Sequence, residues 1–240
     1  MSKPLVVITG ASSGFGKATA CSLSEKGYPL LLIARRLDRL EALNLPNTIC
    51  AKVDVTDREA LVKAITNAEA KFGPVDCIIN NAGVMLLGQA HEQDPSEWQK
   101  MIDVNMVGLL NGVYAVLPDM RKRKQGTIIN ISSVAGRKTF PNHAVYCGTK
   151  FAVHAMSENI REEVASDNVR VVVIAPGAAE TELLSHTTSD SIKEGYNQWK
   201  EQMGGVMSSQ DVANSIVFAY EQPQDVCIRE IVLAPTRQEP

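Results

Sequence analysis

The 240-residue sequence lacks the marks of several protein classes. Its five cysteines (Cys21, Cys50, Cys77, Cys147 and Cys227) stand singly and are odd in number. They make neither the CxxC or Cys/His spacing of a metal site nor the paired framework of a secreted, disulfide-stapled domain. No unbroken apolar run approaches the ~20 residues of a bilayer crossing, and the N-terminus reads straight into LVVIT without a signal-peptide pattern. A soluble, reduced, cytoplasmic protein is the expectation, without membrane or metal. There is no surplus of positive charge either: the net charge is −3, which gives no general hold on a nucleic acid backbone. The one basic cluster, Arg121 to Lys124, precedes Gln125 and Gly126 and suits a last helical turn ahead of a capping glycine; a partner patch is the other reading. No linker, repeat or low-complexity segment divides the chain.

What is present is a chain 45% hydrophobic and 21% charged, enough to bury one α/β core. Short β-branched apolar runs recur at 5–9, 30–34, 48–54, 75–80, 127–132, 169–175 and 227–234. Nearly continuous hydrophobicity over four to eight residues fits strands covered on both faces. Amphipathic stretches between them predict helices, and strand–helix–strand at this pitch means a parallel sheet with right-handed crossovers. The expected fold is a single Rossmann-like, doubly wound domain over 1–240, with about seven strands and helices on both faces. Ser208 and Asp211 are spaced as a helix-capping pair. Residues 180–206, mixed polar and aromatic, interrupt the rhythm and end in Gly204-Gly205; an insertion of that length reads as a helical lid.

The first strand runs into TGASSGFG, with Gly10, Gly14 and Gly16 ahead of a helix. Glycines let backbone amides approach a ligand, and the helix N-terminus behind them suits a pyrophosphate. The spacing is GxxxGxG rather than GxGxxG, and its place after the first strand of a parallel sheet predicts nucleotide binding. The second strand ends in Ala34, where an NAD site usually needs a carboxylate for the adenosine ribose. Arg35 and Arg36 follow, and guanidinium forks pair with a 2′-phosphate. NADP is favoured over NAD.

Four pieces now coincide: TGASSGFG (9–16), NNAG (80–83), Ser133 thirteen residues before Tyr146, and Tyr146 four before Lys150. Together they resemble the short-chain dehydrogenase/reductase family along the whole chain. Within that family the stretch 83–118 is similar to the bacterial NADPH-dependent blue fluorescent proteins, which implies that bound NADPH emits. The resemblance implies catalytic roles for Ser133, Tyr146, Lys150 and Asn105, the last helping to hold a water connected to the lysine. It implies cofactor contacts from Ser12, Ser13 and Phe15 in the glycine turn, Asp54 on the adenine amino group, Val55 beside it, and Asn81, Ala82 and Gly83 along the adenine ribose. PGAAET (176–181) matches the family's PGxxxT segment, placing Pro176 and Gly177 beside nicotinamide and Thr181 on its carboxamide. Ala179 stands there where a larger aliphatic is common. The helices 96–124 and 144–166 are implied to pack against a partner's, giving a homotetramer, with a dimer next.

On a helix, Tyr146 and Lys150 lie ~6 Å apart along the axis on one face. At ~5 Å and an effective dielectric of ~20 the ammonium would attract a phenolate by about 3 kcal/mol. That predicts a phenol pKa lowered by at most roughly two units, since burial acts the other way. Tyr146 is then the acid in carbonyl reduction and the base in alcohol oxidation, and Ser133 donates to the substrate oxygen. Side chains alternate along a strand, so Ser132 and Ser133 cannot both face the site; the family spacing selects Ser133. His143 invites a proton-relay role, with a loop histidine at the rim the simpler reading, and Cys147 suits packing. Expected substrate walls are Met85, Phe140, Trp199 and Met203. Arg137 and Lys138 either meet a substrate carboxylate or face solvent. The predicted function is an NADP(H)-dependent oxidoreductase acting on a small carbonyl or alcohol; the alternative is an NADPH-binding sensor, store or emitter with little turnover.

Overall fold

The apolar runs form strands Leu5–Thr9 (β1), Leu30–Ala34 (β2), Thr48–Lys52 (β3), Val75–Asn80 (β4), Gly126–Ile131 (β5), Val169–Pro176 (β6) and Glu230–Leu233 (β7). The computed structural model describes residues 3–238; Met1, Ser2, Glu239 and Pro240 of the expected 1–240 domain lie outside the described residues. The strands make one parallel sheet in the order β3-β2-β1-β4-β5-β6-β7. Every residue of β1, β2, β4, β5 and β6 is buried, as strands covered on both faces require. Alternation splits β1 between two layers: Val6 and Ile8 pack with one apolar cluster, Leu5 and Val7 with the other.

Helices Gly14–Glu25 (α1), Leu37–Glu41 (α2), Arg58–Phe72 (α3), Pro95–Ile102 (α4), Gly108–Arg123 (α5), Ala144–Val164 (α6), Asp190–Gln202 (α7) and Ser209–Tyr220 (α8) complete the elements. Leu23 of α1 and Ile216 of α8 cover one face of the sheet; Leu61 of α3, Val113 of α5 and Val153 of α6 cover the other. Strand order reverses between β1 and β4, so the loops beyond their carboxyl ends part there and leave the crevice in which such sheets hold ligands. A buried polar ladder sets α6 against the sheet: Asn80 Nδ2 donates to Asn130 Oδ1, and Asn130 Nδ2 to Ser157 Oγ, both at 2.9 Å. The predicted capping pair is present, with Ser208 and Asp211 bonding reciprocally at the start of α8.

Several boundaries depart from the sequence expectation. The third strand ends at Lys52, because its pairing partner β2 ends at Ala34, and β7 begins at Glu230, opposite Val173. The helix expected over 96–124 is broken by a π-helical turn, Asp103–Val107, and its cap is Lys124, left-handed at φ 54°, rather than Gly126, which opens β5. Arg121 and Lys124 of the basic cluster pair with Asp167, and Arg123 with Asp119. The run Pro95–Arg123 is long and apolar enough to cross a membrane by length and composition alone, which the criterion of an unbroken apolar run misses. It lies on the sheet as a core helix does: Asn105 and Asn111 are buried within it, and Asn111 Nδ2 donates to the Val55 carbonyl at 2.9 Å. The insertion after β6 leaves and returns at one place, with Glu180 N–H donating to the Met207 carbonyl and Met207 N–H to that of Ala178. Between these points lie a short 3₁₀ turn, Glu182–His186, and α7.

Candidate active site

The glycine turn after β1 is shaped by close approach. Gly10 and Gly14 have φ of +66° and +52°, and a Cβ on Gly16 would sit 2.5 Å from both the Gly10 carbonyl oxygen and Asn81 Nδ2. Asn81 Nδ2 donates to the Thr9 and Gly10 carbonyls at 2.9 and 3.2 Å, while Thr9 Oγ1 accepts from the N–H groups of Asn81 and Ala82. Asn81, expected along the adenine ribose, thus braces the glycine turn. Because neither neighbour of Gly16 is a flexible side-chain tip with somewhere to go, Gly16→Ala should cost about 1–3 kcal/mol. Thermal unfolding would show it as a lowered Tm, together with weakened nucleotide binding.

One cavity of about 640 Å³ opens at the carboxyl ends of the strands. Every predicted site residue lines it except Gly16 and Asn105. At one end, Arg36 donates to Ser12 Oγ and Ser13 Oγ at 3.0 Å and to Glu182 of the insertion at 2.8 Å; Arg39 reaches the same carboxylate at 2.7 Å. Hydrogen bonds from Arg36 and then Arg39 hold the Glu182 carboxyl below its ordinary pKa. Asp54 turns one oxygen to Thr56, accepting from its N–H and hydroxyl.

At the other end both serines border the cavity, although only one was expected to, and they bond in different directions. Ser132, 3% exposed, turns its hydroxyl to the Lys150 carbonyl at 3.1 Å. Ser133 donates to the Pro176 carbonyl at 3.2 Å, accepts from Ala135 N–H, and shares a hydrogen bond with the Tyr146 hydroxyl. Tyr146 and Lys150, 5% and 7% exposed, rise one turn apart from α6, with Lys150 Nζ 5.7 Å from the centre of the tyrosine ring. Lys150 Nζ donates past the phenol to the Ile131 carbonyl at 2.9 Å.

The expected lowering of the Tyr146 pKa does not appear. Burial pushes the phenol well above its ordinary value, opposed by the hydrogen bond with Ser133. The same burial lowers the Lys150 ammonium to about 8. Desolvation drives both groups toward their neutral forms, and the ammonium is aimed at a backbone carbonyl rather than at the phenol oxygen.

Asn105 reaches its place through the π-helical turn, whose added residue swings the side chain inward. Its amide bonds both the N–H and the carbonyl of Val84, and donates to Thr149 Oγ1 on α6. It therefore braces the Gly83–Val84 backbone rather than lining the cavity. Met85, Phe140 and Trp199 are walls as expected; Met203 is buried but outside the lining. Ile192 and Tyr196 of α7 are walls that strand and loop patterns do not single out, and Tyr196 meets Trp199 edge-on at 5.3 Å. Neither Arg137 nor Lys138 lines the cavity; Arg137 pairs with Glu230 at 2.6 Å. His143 stands 6.2 Å from the Tyr146 ring with Nδ1 on the Pro141 carbonyl, and burial lowers its pKa. Gln238, distant in sequence from every motif, also lines the cavity and accepts from Ala178 N–H at 2.7 Å.

A doubly wound parallel sheet thus carries a glycine turn after β1 and, at its carboxyl end, a half-buried Ser133 beside the buried Tyr146 and Lys150. The family model for short chain dehydrogenases matches residues 4–192. An uncharacterized oxidoreductase of Staphylococcus saprophyticus is 41% identical, over 98% of this chain and 96% of its own. Among solved structures, the closed form of a serine dehydrogenase complexed with NADP⁺ superposes with a TM-score of 0.91 at 31% identity, covering 98% of this chain and 96% of that one. ElxO with NADP bound gives 0.85 at 28% identity, over 96% of each chain. The chain belongs to the short-chain dehydrogenase/reductase family.

Proposed function

We propose that the protein is an NADP(H)-dependent oxidoreductase interconverting a carbonyl and an alcohol, with Tyr146 as the proton donor in reduction. The observation that carries this reading is the meeting of Ser133, Tyr146 and Lys150 on the wall of one cavity, with Lys150 one helical turn from Tyr146 and its Nζ 5.7 Å from the ring centre. The residues present suit the dinucleotide. Gly10 and Gly14 let the backbone approach a pyrophosphate, Ala34 removes the carboxylate that would repel a 2′-phosphate, and Arg35 and Arg36 flank its position. NADP-bound structures of related chains support the same choice.

NADPH, when bound, supplies the hydride. Ser133 holds the substrate oxygen by a hydrogen bond that strengthens as charge gathers there, and the Tyr146 hydroxyl delivers the proton. Lys150 supplies a positive charge beneath the phenol. Because Arg137 is paired and the walls are Met85, Phe140, Ile192, Tyr196 and Trp199, the substrate reading is a carbonyl compound with an apolar flank rather than a hydroxy acid. The insertion over 180–206 acts as the lid. Exposed Leu110 and Tyr114 on α5 and Phe151 on α6 support assembly through these helices, as a homotetramer. The free thiols suit a reducing cytoplasm.

Incubation with NADPH and a panel of aldehydes, ketones and keto acids tests the reading. Steady loss of reduced-cofactor absorbance with an apolar carbonyl supports it; long-lived emission with no consumption favours the NADPH-binding alternative. Arg36→Ala should weaken NADPH binding by about 10–100-fold, the scale of one or two charge-assisted hydrogen bonds, and leave NADH binding little changed. Titration of cofactor fluorescence against both nucleotides would show it.

A further inference from the structure

His154 and Glu230 lie outside the cavity and outside every motif, yet they join the two segments that carry Ser133 and Lys150. His154 stands one turn beyond Lys150 on α6. Its Nδ1 lies 2.9 Å from Ser132 Oγ and 3.0 Å from the Lys150 carbonyl oxygen, and its Nε2 lies 2.9 Å from Glu230 Oε1. The other oxygen of Glu230 takes Arg137 at 2.6 Å. The 3₁₀ turn Val134–Gly136 that follows Ser133 is therefore held on both sides, at Ser132 by the imidazole and at Arg137 by the carboxylate. Space for the ring exists because residue 136 is glycine: a Cβ there would sit 2.4 Å from His154 Nδ1 and 2.7 Å from the Lys150 carbonyl oxygen.

The bonding directions follow from the carboxylate. Burial would raise the Glu230 carboxyl, but hydrogen bonds from Arg137 and His154 hold it below its ordinary pKa, so it accepts from both. Nε2 of the imidazole then carries a proton, and the single Ser132 hydroxyl hydrogen lies between two acceptors, Nδ1 at 2.9 Å and the Lys150 carbonyl oxygen at 3.1 Å. A glutamate–histidine–serine chain thus runs from β7 through α6 to the end of β5, one residue short of Ser133.

We propose that His154, anchored by Glu230, is a positioning residue for the reaction: it fixes the Ser132–Ser133 backbone against α6 so that Ser133 meets the Tyr146 hydroxyl. This rests on the catalytic reading of Ser133 and Tyr146. His154→Leu keeps most of the side-chain volume and removes the bonds to Ser132 and Glu230. Its kcat should fall about 10–100-fold while the Kd for NADPH stays within about twofold, because the adenosine end is built on β1 and β2. His154→Asn, which restores a polar group at the Nδ1 position, should recover most of kcat; Glu230→Gln should fall between. Crystal structures of His154→Leu and His154→Asn with NADPH give a readout that needs no turnover. Ser133 Oγ should leave hydrogen-bonding distance of the Tyr146 hydroxyl in the first and regain it in the second. An unchanged Ser133–Tyr146 bond in His154→Leu overturns the proposal, as does a parallel loss of kcat, NADPH affinity and Tm that His154→Asn does not rescue. If the wild-type protein turns over no carbonyl, the functional reading fails, and the position of Ser133 in the two variants still decides the structural role of His154.

Discussion

Replacing Tyr146 with phenylalanine should lower kcat for carbonyl reduction by about a thousandfold, within the range of a lost general acid, with NADPH affinity changed by less than about threefold. The ring stays and fills the same space; only the hydroxyl and its bond with Ser133 disappear. Single-turnover absorbance at saturating NADPH, beside a direct binding titration, separates the two quantities. Full turnover with intact NADPH binding would remove Tyr146 from the reaction. The pH dependence follows from the buried groups. Burial keeps the phenol protonated through neutral pH, so the acid for reduction is available across the ordinary range. Lys150, lowered to about 8, loses its charge as pH rises through that value. The rate of reduction should therefore decline above about pH 8 because the ammonium is lost, not because the tyrosine ionises.

Lys150→Met should stabilise the fold at pH 7 while reducing turnover at least about a hundredfold. The folded-state pKa of Lys150 is about 8 against an ordinary 10.5, so between those values the unfolded chain binds the extra proton and stability climbs with pH. Below about pH 8 the buried charge costs the native state about 3 kcal/mol, at ~1.4 kcal/mol per pKa unit. Methionine removes that cost but leaves the Ile131 carbonyl without its donor, a loss of ~1–2 kcal/mol. A net gain of ~1–2 kcal/mol raises Tm by about 2–8 °C for a chain of this size, and the gain should shrink as pH approaches 10. Calorimetry at pH 7 and pH 9.5 would check it, and a lowered Tm at pH 7 would show that the charge is better solvated than its surroundings imply. The lysine is thus a place where function and stability pull apart.

The sheet was legible because its strands are covered on both faces: LVVIT, LLLIA and VDCIIN each became a strand with those limits. Where cover ends the pattern misleads. Val53 and Asp54 read as strand but lie beyond Lys52, which takes the last residue of β2, Ala34. The π-helical turn at Asn105 was hidden because one added residue hardly alters helical periodicity. The cap at Lys124 was hidden because glycine two residues later offered the more familiar answer. The family resemblance singled out Ser133, Tyr146 and Lys150, and all three border one cavity, two from a shared helix and the third from just beyond a strand. The direction of the Lys150 ammonium could not be read in advance, because the Ile131 carbonyl that takes it belongs to another element. Gln238 and the His154–Glu230 pair were invisible for the same reason: residues 60 and 76 positions apart meet only when the sheet is assembled.

Tyr146, Lys150 and His154 sit at four-residue intervals along α6, one on the cavity wall, one beneath it and one behind the serine turn. Each added or deleted residue in a helix rotates everything beyond it by about 100°. A single insertion between 146 and 154 would therefore turn at least one of the three out of its slot while Val153 and Ile160 lost their seat on the sheet. Length variation has to be absorbed elsewhere. The segment between Ala178 and Met207, beyond the end of β6, can lengthen or shorten without moving the sheet, and that is where differences in ligand size can be accommodated.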